Sequence, residues 1–193
     1  MGIYDPLTAV SFGRAGRRLH AEVVAAAGLE DGGQVLDVAC GPGRNLPLLL
    51  DEVGPGGRVV GVDIAPAMLA KARSRAPDAE LVEVDVSEGL PFGDAAFDAV
   101  ISSFGLSCIP QISPALDEIL RVLRPDGVLA VADARMVNWR PRPLGALVTA
   151  AVSPFNSWYP ERDLAAMVAA RGLAVEHLPV ASEAFVLFRA RHA

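Results

Sequence analysis

Acidic and glycine residues with the spacing of a ligand site accompany the first strongly apolar stretch of the sequence. Val35 to Ala39 is a short apolar run, typical of a buried parallel strand, and it carries Asp37 in its middle. Gly41 and Gly43 follow directly and permit backbone geometries that a side chain would obstruct. From Asn45 onward the chain turns apolar again and indicates a helix. A strand, a glycine turn and a helix start let a ligand approach the backbone at the carboxyl end of a strand.

Two more predicted strands end in an acid. Arg58 to Asp63 is the second strand, and Asp63 lies about 20 residues past the glycines, the spacing expected of a carboxylate that binds ribose hydroxyls. A carboxylate suits that role because it accepts from both hydroxyls of a diol. Leu81 to Asp85 is the third strand. A single such acid would be a helix cap or a solvated loop residue, but three in this order favour a nucleoside site.

The glycine pattern separates this site from two related ones. A dinucleotide fingerprint requires a third glycine where this chain has Leu46, and a phosphate loop requires Gly-Lys-Ser/Thr, which is absent. The remaining pattern, Asp37-x-x-x-Gly41-x-Gly43, resembles motif I of the class I S-adenosylmethionine (SAM) methyltransferases, D/E-x-x-x-G-x-G. Taken alone, the motif is also compatible with an ordinary strand-to-helix turn.

Composition limits the remaining classes. A length of 193 residues fits one domain, and 52% hydrophobic residues with a mean hydropathy of +0.35 fit a parallel sheet buried on both faces. A net charge of −6 argues against a nucleic-acid partner held by a broad basic surface. Cys40 and Cys108 are interpreted as reduced thiols of a cytoplasmic protein. We expect no metal site and no transmembrane segment.

The resemblance covers the chain from about Tyr4 to its end, and its specific part is residues 34–133. The most similar group is the type 11 methyltransferases, which include ubiquinone/menaquinone C-methyltransferases and phosphatidylethanolamine N-methyltransferases. It implies a Rossmann-like α/β fold, with a seven-stranded, mostly parallel sheet, an antiparallel edge strand and helices on both faces. We expect a single domain, 1–193, with an N-terminal helical lid at 1–30 and a substrate-covering insertion at 135–160.

Within that domain, Pro6 argues against a helix through the first residues, so we predict the first helix from Ser11 to Ala27. The basic residues in its first half, Arg14 to His20, are interpreted as a solvated face. An alternative is a contact with an anionic substrate group or a membrane surface. The aromatic residues of the insertion are either packed or form an acceptor pocket.

The resemblance implies SAM as the cofactor, with the glycine loop around its methionine and ribose and Asp85 accepting from the adenine amine. The cofactor-binding residues it implies are Asp37, Ala39, Cys40, Gly41, Gly43, Asn45, Asp63, Ile64, Met68, Asp85, Val86, Ser102, Ser103 and Phe104. The implied reaction is in-line methyl transfer, in which positioning and desolvation do much of the catalysis. A general base is optional, and the candidates are Tyr4, His20 and Asp133.

The acceptor is addressed by one departure from the family pattern. Ile101 to Leu106 resembles the I-S-F-G-L stretch of the quinone enzymes, where Arg-Asn follows and the Arg helps to activate the ring carbon. Here Ser107 and Cys108 follow, and neither supplies a permanent cation. We therefore predict methyl transfer to O or N of a small or lipid-like apolar acceptor by a monomer or homodimer, with peripheral membrane contact left open. The alternatives are a quinone-type C-methyltransferase, a SAM-binding protein without methyl transfer, and, least favoured, a dinucleotide oxidoreductase.

Overall fold

Strands and helices alternate through most of the chain. The computed structural model describes residues 4–134, 159, 161–181 and 184–192, with residues 4–15 described by their backbone only. The helices are α1 (Tyr4–Ala27), α2 (Leu46–Val53), α3 (Pro66–Arg75), α4 (Ile112–Val122) and α5 (Leu164–Ala169). The strands are β1 (Gln34–Val38), β2 (Arg58–Asp63), β3 (Glu80–Glu83), β4 (Phe97–Ser103), β5 (Leu123–Ala134), β6 (Leu173–His177) and β7 (Phe185–His192).

All seven strands form one sheet in the order β3-β2-β1-β4-β5-β7-β6. The pairs from β3 to β5 are parallel, whereas β7 runs antiparallel to both β5 and β6. The predicted seven-stranded, mostly parallel sheet is confirmed, and its antiparallel strand lies next to the edge strand β6. Because β1, β2, β4 and β5 are parallel, their carboxyl ends meet at one edge of the sheet, which is where ligands bind in such folds.

Two buried clusters cover the two faces of the sheet. One face of β1, with Leu36 and Val38, packs with α4 and α5. The other face, with Val35, packs with α1, α2 and α3. Alternation along β1 therefore directs Asp37 to the face covered by α1 to α3.

Several element bounds differ from those predicted. The first helix starts at Tyr4 rather than Ser11, so the expectation drawn from Pro6 was wrong. Pro6 lies in the first helical turn, where backbone N–H groups have no intrahelical partner and a missing one costs little. The helix indicated from Asn45 onward starts one residue later, at Leu46, after the loop in which Gly41 and Gly43 adopt positive φ angles that a helix does not contain.

The last helix and the fifth strand also differ in extent. The sequence indicates a helix over 160–171, but the described helix there is limited to α5, whose N-cap Asp163 accepts a hydrogen bond from the Ala166 backbone N–H. The sequence also indicates a turn at 124–127, but these residues lie within β5, where the register with β4 shifts. No helix within the described residues is long and apolar enough to cross a membrane.

Candidate functional site

Strained backbone marks the carboxyl edge of the sheet. Ala39, just after β1, has φ 53°, and Phe104, just after β4, has φ 59°. A non-glycine residue with positive φ costs about 1–3 kcal/mol and persists only where the surroundings hold it. Two of the three such residues in the described part of the chain therefore lie at the ends of adjacent central strands.

Gly41 and Gly43 serve different purposes in the loop after β1. At Gly41, with φ 54°, an added Cβ would meet no atom within 4 Å. At Gly43, with φ 73°, it would lie 2.9 Å from the Cβ of Ala72 on α3 and 2.9 Å from Leu46 Cδ1. The open space that a ligand needs is thus beside Gly41, whereas Gly43 lets the loop pack against α3. A side chain at Gly43 would therefore overlap protein atoms rather than take up the space beside Gly41.

Asp63 joins the glycine loop to the end of β2. Its Oδ2 accepts from the Gly41 N–H at 2.8 Å and its Oδ1 accepts from the Ala65 N–H at 2.9 Å. A carboxylate has about four lone-pair positions, so each oxygen can accept a further hydrogen bond. Asp63 therefore positions the loop and still has acceptor capacity toward a diol at the open side of Gly41.

A buried polar network lies directly beneath the loop. Asp37 is fully buried, and the Nδ2 of Asn45 lies 3.1 Å and 3.2 Å from its two oxygens. Asn45 also contacts the Ser103 hydroxyl at 3.2 Å and, through Oδ1, the Nδ1 of His20 at 2.7 Å. The network thus joins β1, the start of α2, β4 and α1 at one point.

Burial changes the proton affinity of two members of this network. Burial raises the pKa of Asp37 to about 8, with a smaller contribution in the same direction from the charge of Asp63, against the opposing hydrogen bond from Asn45. Burial also lowers the pKa of His20, and the charges of Arg44 and Arg75 act in the same direction. At neutral pH the His20 ring is therefore predominantly neutral and can accept a proton.

Asp133, at the end of β5, is buried with a different set of partners. Its Oδ2 accepts from the Ser107 N–H at 3.0 Å, and its Oδ1 accepts from the Ser107 hydroxyl at 2.7 Å and the Ala134 N–H at 2.7 Å. Burial raises its pKa against these three hydrogen bonds. The Ser107 carbonyl in turn accepts from the Tyr159 N–H at 2.8 Å. Asp133 therefore fixes the wall after β4, the 3-10 turn Leu106–Cys108.

Comparison with known proteins identifies the family. A family model described as a methyltransferase domain matches residues 35–127, which contain the glycine loop, Asp63 and β4. The matched part of the chain is a class I methyltransferase domain. The chain is 34% identical over 139 residues to the demethylmenaquinone methyltransferase of Listeria welshimeri, covering 70% of this chain and 59% of that protein. The resemblance to the type 11 group is thereby confirmed.

A second curated relative and a solved structure agree with this assignment. The trans-aconitate 2-methyltransferase of Escherichia coli is 34% identical over 131 residues, which cover 68% of this chain and 51% of that protein. The chain thus spans only between half and three fifths of the length of these curated relatives. A SAM-dependent methyltransferase structure from Aquifex aeolicus superposes with a TM-score of 0.72 at 22% identity, covering 97% of each chain, and supports the fold.

The residues at this candidate site fit SAM. Gly41 leaves an open approach to the backbone, and Asp63 provides charged acceptors for ribose hydroxyls beside it. Ile64 directly follows Asp63, and its large hydrophobic side chain is 63% exposed. An apolar side chain open to solvent at this position can cover one face of a flat base. Within the described residues, no group of His, Cys, Asp and Glu could hold a metal ion.

The other predicted cofactor residues lie along the same edge in different environments. Asp85, two residues beyond β3, accepts from the Ser87 N–H at 2.9 Å and the Ser87 hydroxyl at 2.6 Å, so its Oδ1 stabilises a local turn. Met68 is half-buried on α3, and Val86 is buried. Ser102 is buried and donates to the Val38 carbonyl at 2.8 Å, which joins β4 to β1 rather than facing the open side of Gly41.

Three further expectations concern residues with a less direct role. Cys40 is buried, and burial together with the charges of Asp37 and Asp63 raises the pKa of its thiol, so it is not a nucleophile at neutral pH. The Tyr4 side chain lies outside the described part of the chain, although its backbone begins α1. The aromatic insertion lies outside it as well, apart from Tyr159.

Sequence reasoning missed two connections at this site. It assigned Asn45 to the cofactor, whereas the structure also places Asn45 between Asp37 and His20. It considered Ser107 only as the residue that replaces the arginine of the quinone enzymes, whereas the Ser107 hydroxyl donates a hydrogen bond to Asp133. No local sequence pattern predicts either contact, because the two residues of each pair are 25 and 26 positions apart and come together only through packing.

Proposed function

We propose that this protein transfers a methyl group from SAM to an oxygen or nitrogen of a small or lipid-like apolar acceptor. The observation that carries the proposal is the open backbone at Gly41 beside the Asp63 carboxylate, at the carboxyl edge of a methyltransferase sheet. SAM supplies an electrophilic methyl group on a positively charged sulfur. Gly41, Asp63 and Ile64 would hold its nucleoside part, and the wall at Phe104 to Cys108 would border the acceptor.

The choice of O or N rests on the wall after β4. Ser107 stands where the quinone enzymes carry an arginine, and both its hydroxyl and its N–H are bound to the buried Asp133. This arrangement supplies no permanent cation to stabilise charge on a ring oxygen. An O–H or N–H acceptor needs less help, because removal of one proton by a neutral base is sufficient. Arg135 and Arg140, which could substitute for that cation, lie outside the described residues, and the basic cluster from Arg14 to Arg18 is the third candidate.

Quinone-type C-methylation is the second candidate because the relative from Listeria welshimeri is named a demethylmenaquinone methyltransferase. Its direct test is complementation of a bacterial strain lacking its quinone C-methyltransferase, with quinones analysed by mass spectrometry. We expect no restored ring methylation. Restored methylation would replace the O- or N-acceptor proposal with the C-methyl one.

Two other classes are separated by binding and transfer assays. Calorimetric titration with SAM and with NADH or NADPH distinguishes a methyltransferase site from a dinucleotide site, and buried Leu46 in place of the third glycine predicts binding of SAM alone. Transfer of labelled methyl to a panel of phenols, amines, carboxylic acids and lipids distinguishes an enzyme from a protein that only binds SAM. SAM binding without transfer to any member of the panel would favour the binding protein.

A matched pair of glycine variants controls the binding experiment. Gly41→Ala places a methyl group in the open space and strains a positive φ, so we expect weaker SAM binding by a folded protein. Gly172→Ala imposes a similar strain, at φ 88° and also with no atom within 4 Å, but far along the chain at the end of α5. Equal SAM affinity in the two variants would contradict the placement of SAM at Gly41.

The cellular context is proposed on chemical grounds. Neither Cys40 nor Cys108 forms a disulfide, which is consistent with the reducing cytoplasm that we predict. The acceptor is proposed as the small-molecule partner, and the monomeric or homodimeric state stays a prediction, to be measured by light scattering on the purified chain.

A further inference from the structure

Asn45 is the centre of the buried network, and its chemistry limits how protons are arranged there. Its side chain is 3% exposed and contacts Asp37, Ser103 and His20 at 2.7–3.3 Å. An amide has one end that only donates and one that only accepts. The partners of one end therefore determine what the partners of the other end must do.

The Asp37 carboxyl group decides which end of Asn45 is which. Both Asp37 oxygens lie within 3.2 Å of the same Asn45 atom, and in either protonation state at least one of them can only accept. That Asn45 atom is therefore the donor Nδ2. The opposite atom is the acceptor Oδ1, and it lies 2.7 Å from Nδ1 of His20.

It follows that Nδ1 of His20 carries a hydrogen. A hydrogen bond this short between an amide oxygen and a ring nitrogen requires the nitrogen to donate. In the neutral imidazole the other nitrogen, Nε2, then holds the lone pair and is the basic atom. The tautomer of His20 is thus set from Asp37, through Asn45.

The ring of His20 is also held in position at the carboxyl end of β4. Its centroid lies 5.6 Å from that of Phe104 in an edge-on arrangement, and Phe104 is the residue with positive φ immediately after β4. His20 is half-buried, so part of its side chain is accessible. Two independent contacts, one polar and one aromatic, therefore orient it.

We propose that Asn45 and Asp37 are positioning residues that hold His20 as the Nδ1–H tautomer, with Nε2 as the base that takes the acceptor's proton. This inference rests on the proposed function. The proton leaves the acceptor O–H or N–H for Nε2, the electron pair of that bond stays on the acceptor atom, and the ring becomes imidazolium. Burial of His20 and the nearby charges of Arg44 and Arg75 keep it unprotonated before that step.

The tautomer can be measured without any acceptor. The chain has three histidines, so long-range proton–nitrogen spectra of the protein labelled with 15N in histidine contain three imidazoles. His20 is assigned as the one lost in His20→Gln. We expect its Nδ1 to show the shift of a protonated ring nitrogen and its Nε2 that of an unprotonated one at neutral pH. An Nε2–H tautomer in the unmodified protein would overturn the proposal.

Two variants test whether Asn45, which is oriented by Asp37, sets the tautomer of His20. Asn45→Ala removes the acceptor, and we expect His20 to lose its single tautomer. Ser103→Ala is the matched control, because Ser103 contacts Asn45 but does not determine the orientation of its amide, so the Nδ1–H tautomer should persist. An unchanged His20 spectrum in folded Asn45→Ala would show that Asn45 does not set the tautomer. If Asn45→Ala does not fold, the tautomer in the unmodified protein alone decides.

Methyl transfer to a responsive member of the acceptor panel supplies a separate readout. We expect His20→Gln to lower kcat by about 10²-fold or more with SAM affinity retained, as is usual for loss of a general base. An unchanged kcat would overturn the role of Nε2. A protein that shows the expected tautomer but methylates nothing in the panel would refute the proposed function and leave the tautomer assignment standing.

Discussion

Two buried aspartates on the same sheet show how differently similar residues can be used. Asp37 in β1 and Asp133 in β5 are 0% and 1% exposed, and burial raises the pKa of both. Asp133 accepts from three donors, two of them backbone N–H groups close to the strand end. Asp37 accepts from one side chain, Asn45, which in turn holds His20.

The difference separates a structural acid from one connected to the site. Backbone donors are fixed by the fold, so Asp133 holds the wall after β4 in place. Because three hydrogen bonds already occupy its oxygens, Asp133 has little capacity left to take a proton from the methyl acceptor. A side-chain donor can rearrange, so Asp37 is coupled to whatever Asn45 and His20 contact. These contacts favour a structural role for Asp133 over the role of general base, and the Asp133→Asn variant below tests this choice.

The largest effect is expected in the glycine loop above Asp37, at Gly43. Gly43→Val should unfold the protein or lower its free energy of unfolding by about 2–6 kcal/mol, from strain at a positive φ and from overlap with Ala72 and Leu46. SAM binding should be lost with the fold. Thermal denaturation with and without SAM measures both. A stable variant with SAM bound in a crystal structure would contradict the packing that places Gly43 against α3.

Asp63, beside the same loop, should affect SAM more than the fold. Asp63→Ala removes the acceptor proposed for the ribose and leaves the Gly41 and Ala65 N–H groups without their partner. We expect SAM binding to weaken by about 1–3 kcal/mol in a folded protein. Calorimetry gives the affinity and circular dichroism the fold. Unchanged SAM affinity would reject the ribose assignment.

On the other side of the comparison, Asp133→Asn should affect stability and spare the cofactor. The new amide nitrogen would face a donor group where an acceptor is needed, so we expect a loss of about 1–3 kcal/mol in the free energy of unfolding. SAM affinity should change less than twofold. Urea denaturation and calorimetry measure the two quantities. A stable variant whose methyl transfer alone is abolished would instead support Asp133 as the general base.

The last expected effect, and the smallest over a single pH unit, is a pH dependence that comes from Asp37. Its pKa is raised from 3.8 to about 8 by burial, so between these values the folded state binds one proton more than the unfolded state. The free energy of unfolding therefore falls as pH rises through this window, by up to about 1.4 kcal/mol per unit from this group. Asp37→Asn should remove that slope. Urea denaturation at several pH values from 6 to 8 measures the free energy of unfolding of both proteins. If this free energy changes with pH equally in both, Asp37 is already ionised in the folded protein.

The positions of the acids and glycines relative to the strands could be inferred from the sequence. Asp37, Gly41 and Asp63 could be placed at one edge because the carboxyl ends of parallel strands meet there. In the structure the Gly41 backbone nitrogen lies 2.8 Å from Oδ2 of Asp63. The buried sheet followed in the same way from short apolar runs. These inferences depend on local periodicity and on the geometry common to all parallel sheets.

Which polar groups contact one another depends on packing between elements that are distant in the sequence. The contacts of His20 with Asn45 and of Ser107 with Asp133 join residues on different elements, and Gly43 proved to face Ala72 on α3 rather than the open space beside Gly41. Such contacts depend on how helices pack across the sheet and on which face each side chain takes. A local sequence pattern contains no information about helix packing or about the face that each side chain takes. The sequence therefore located the site, and packing determined which of its residues hold the others in place.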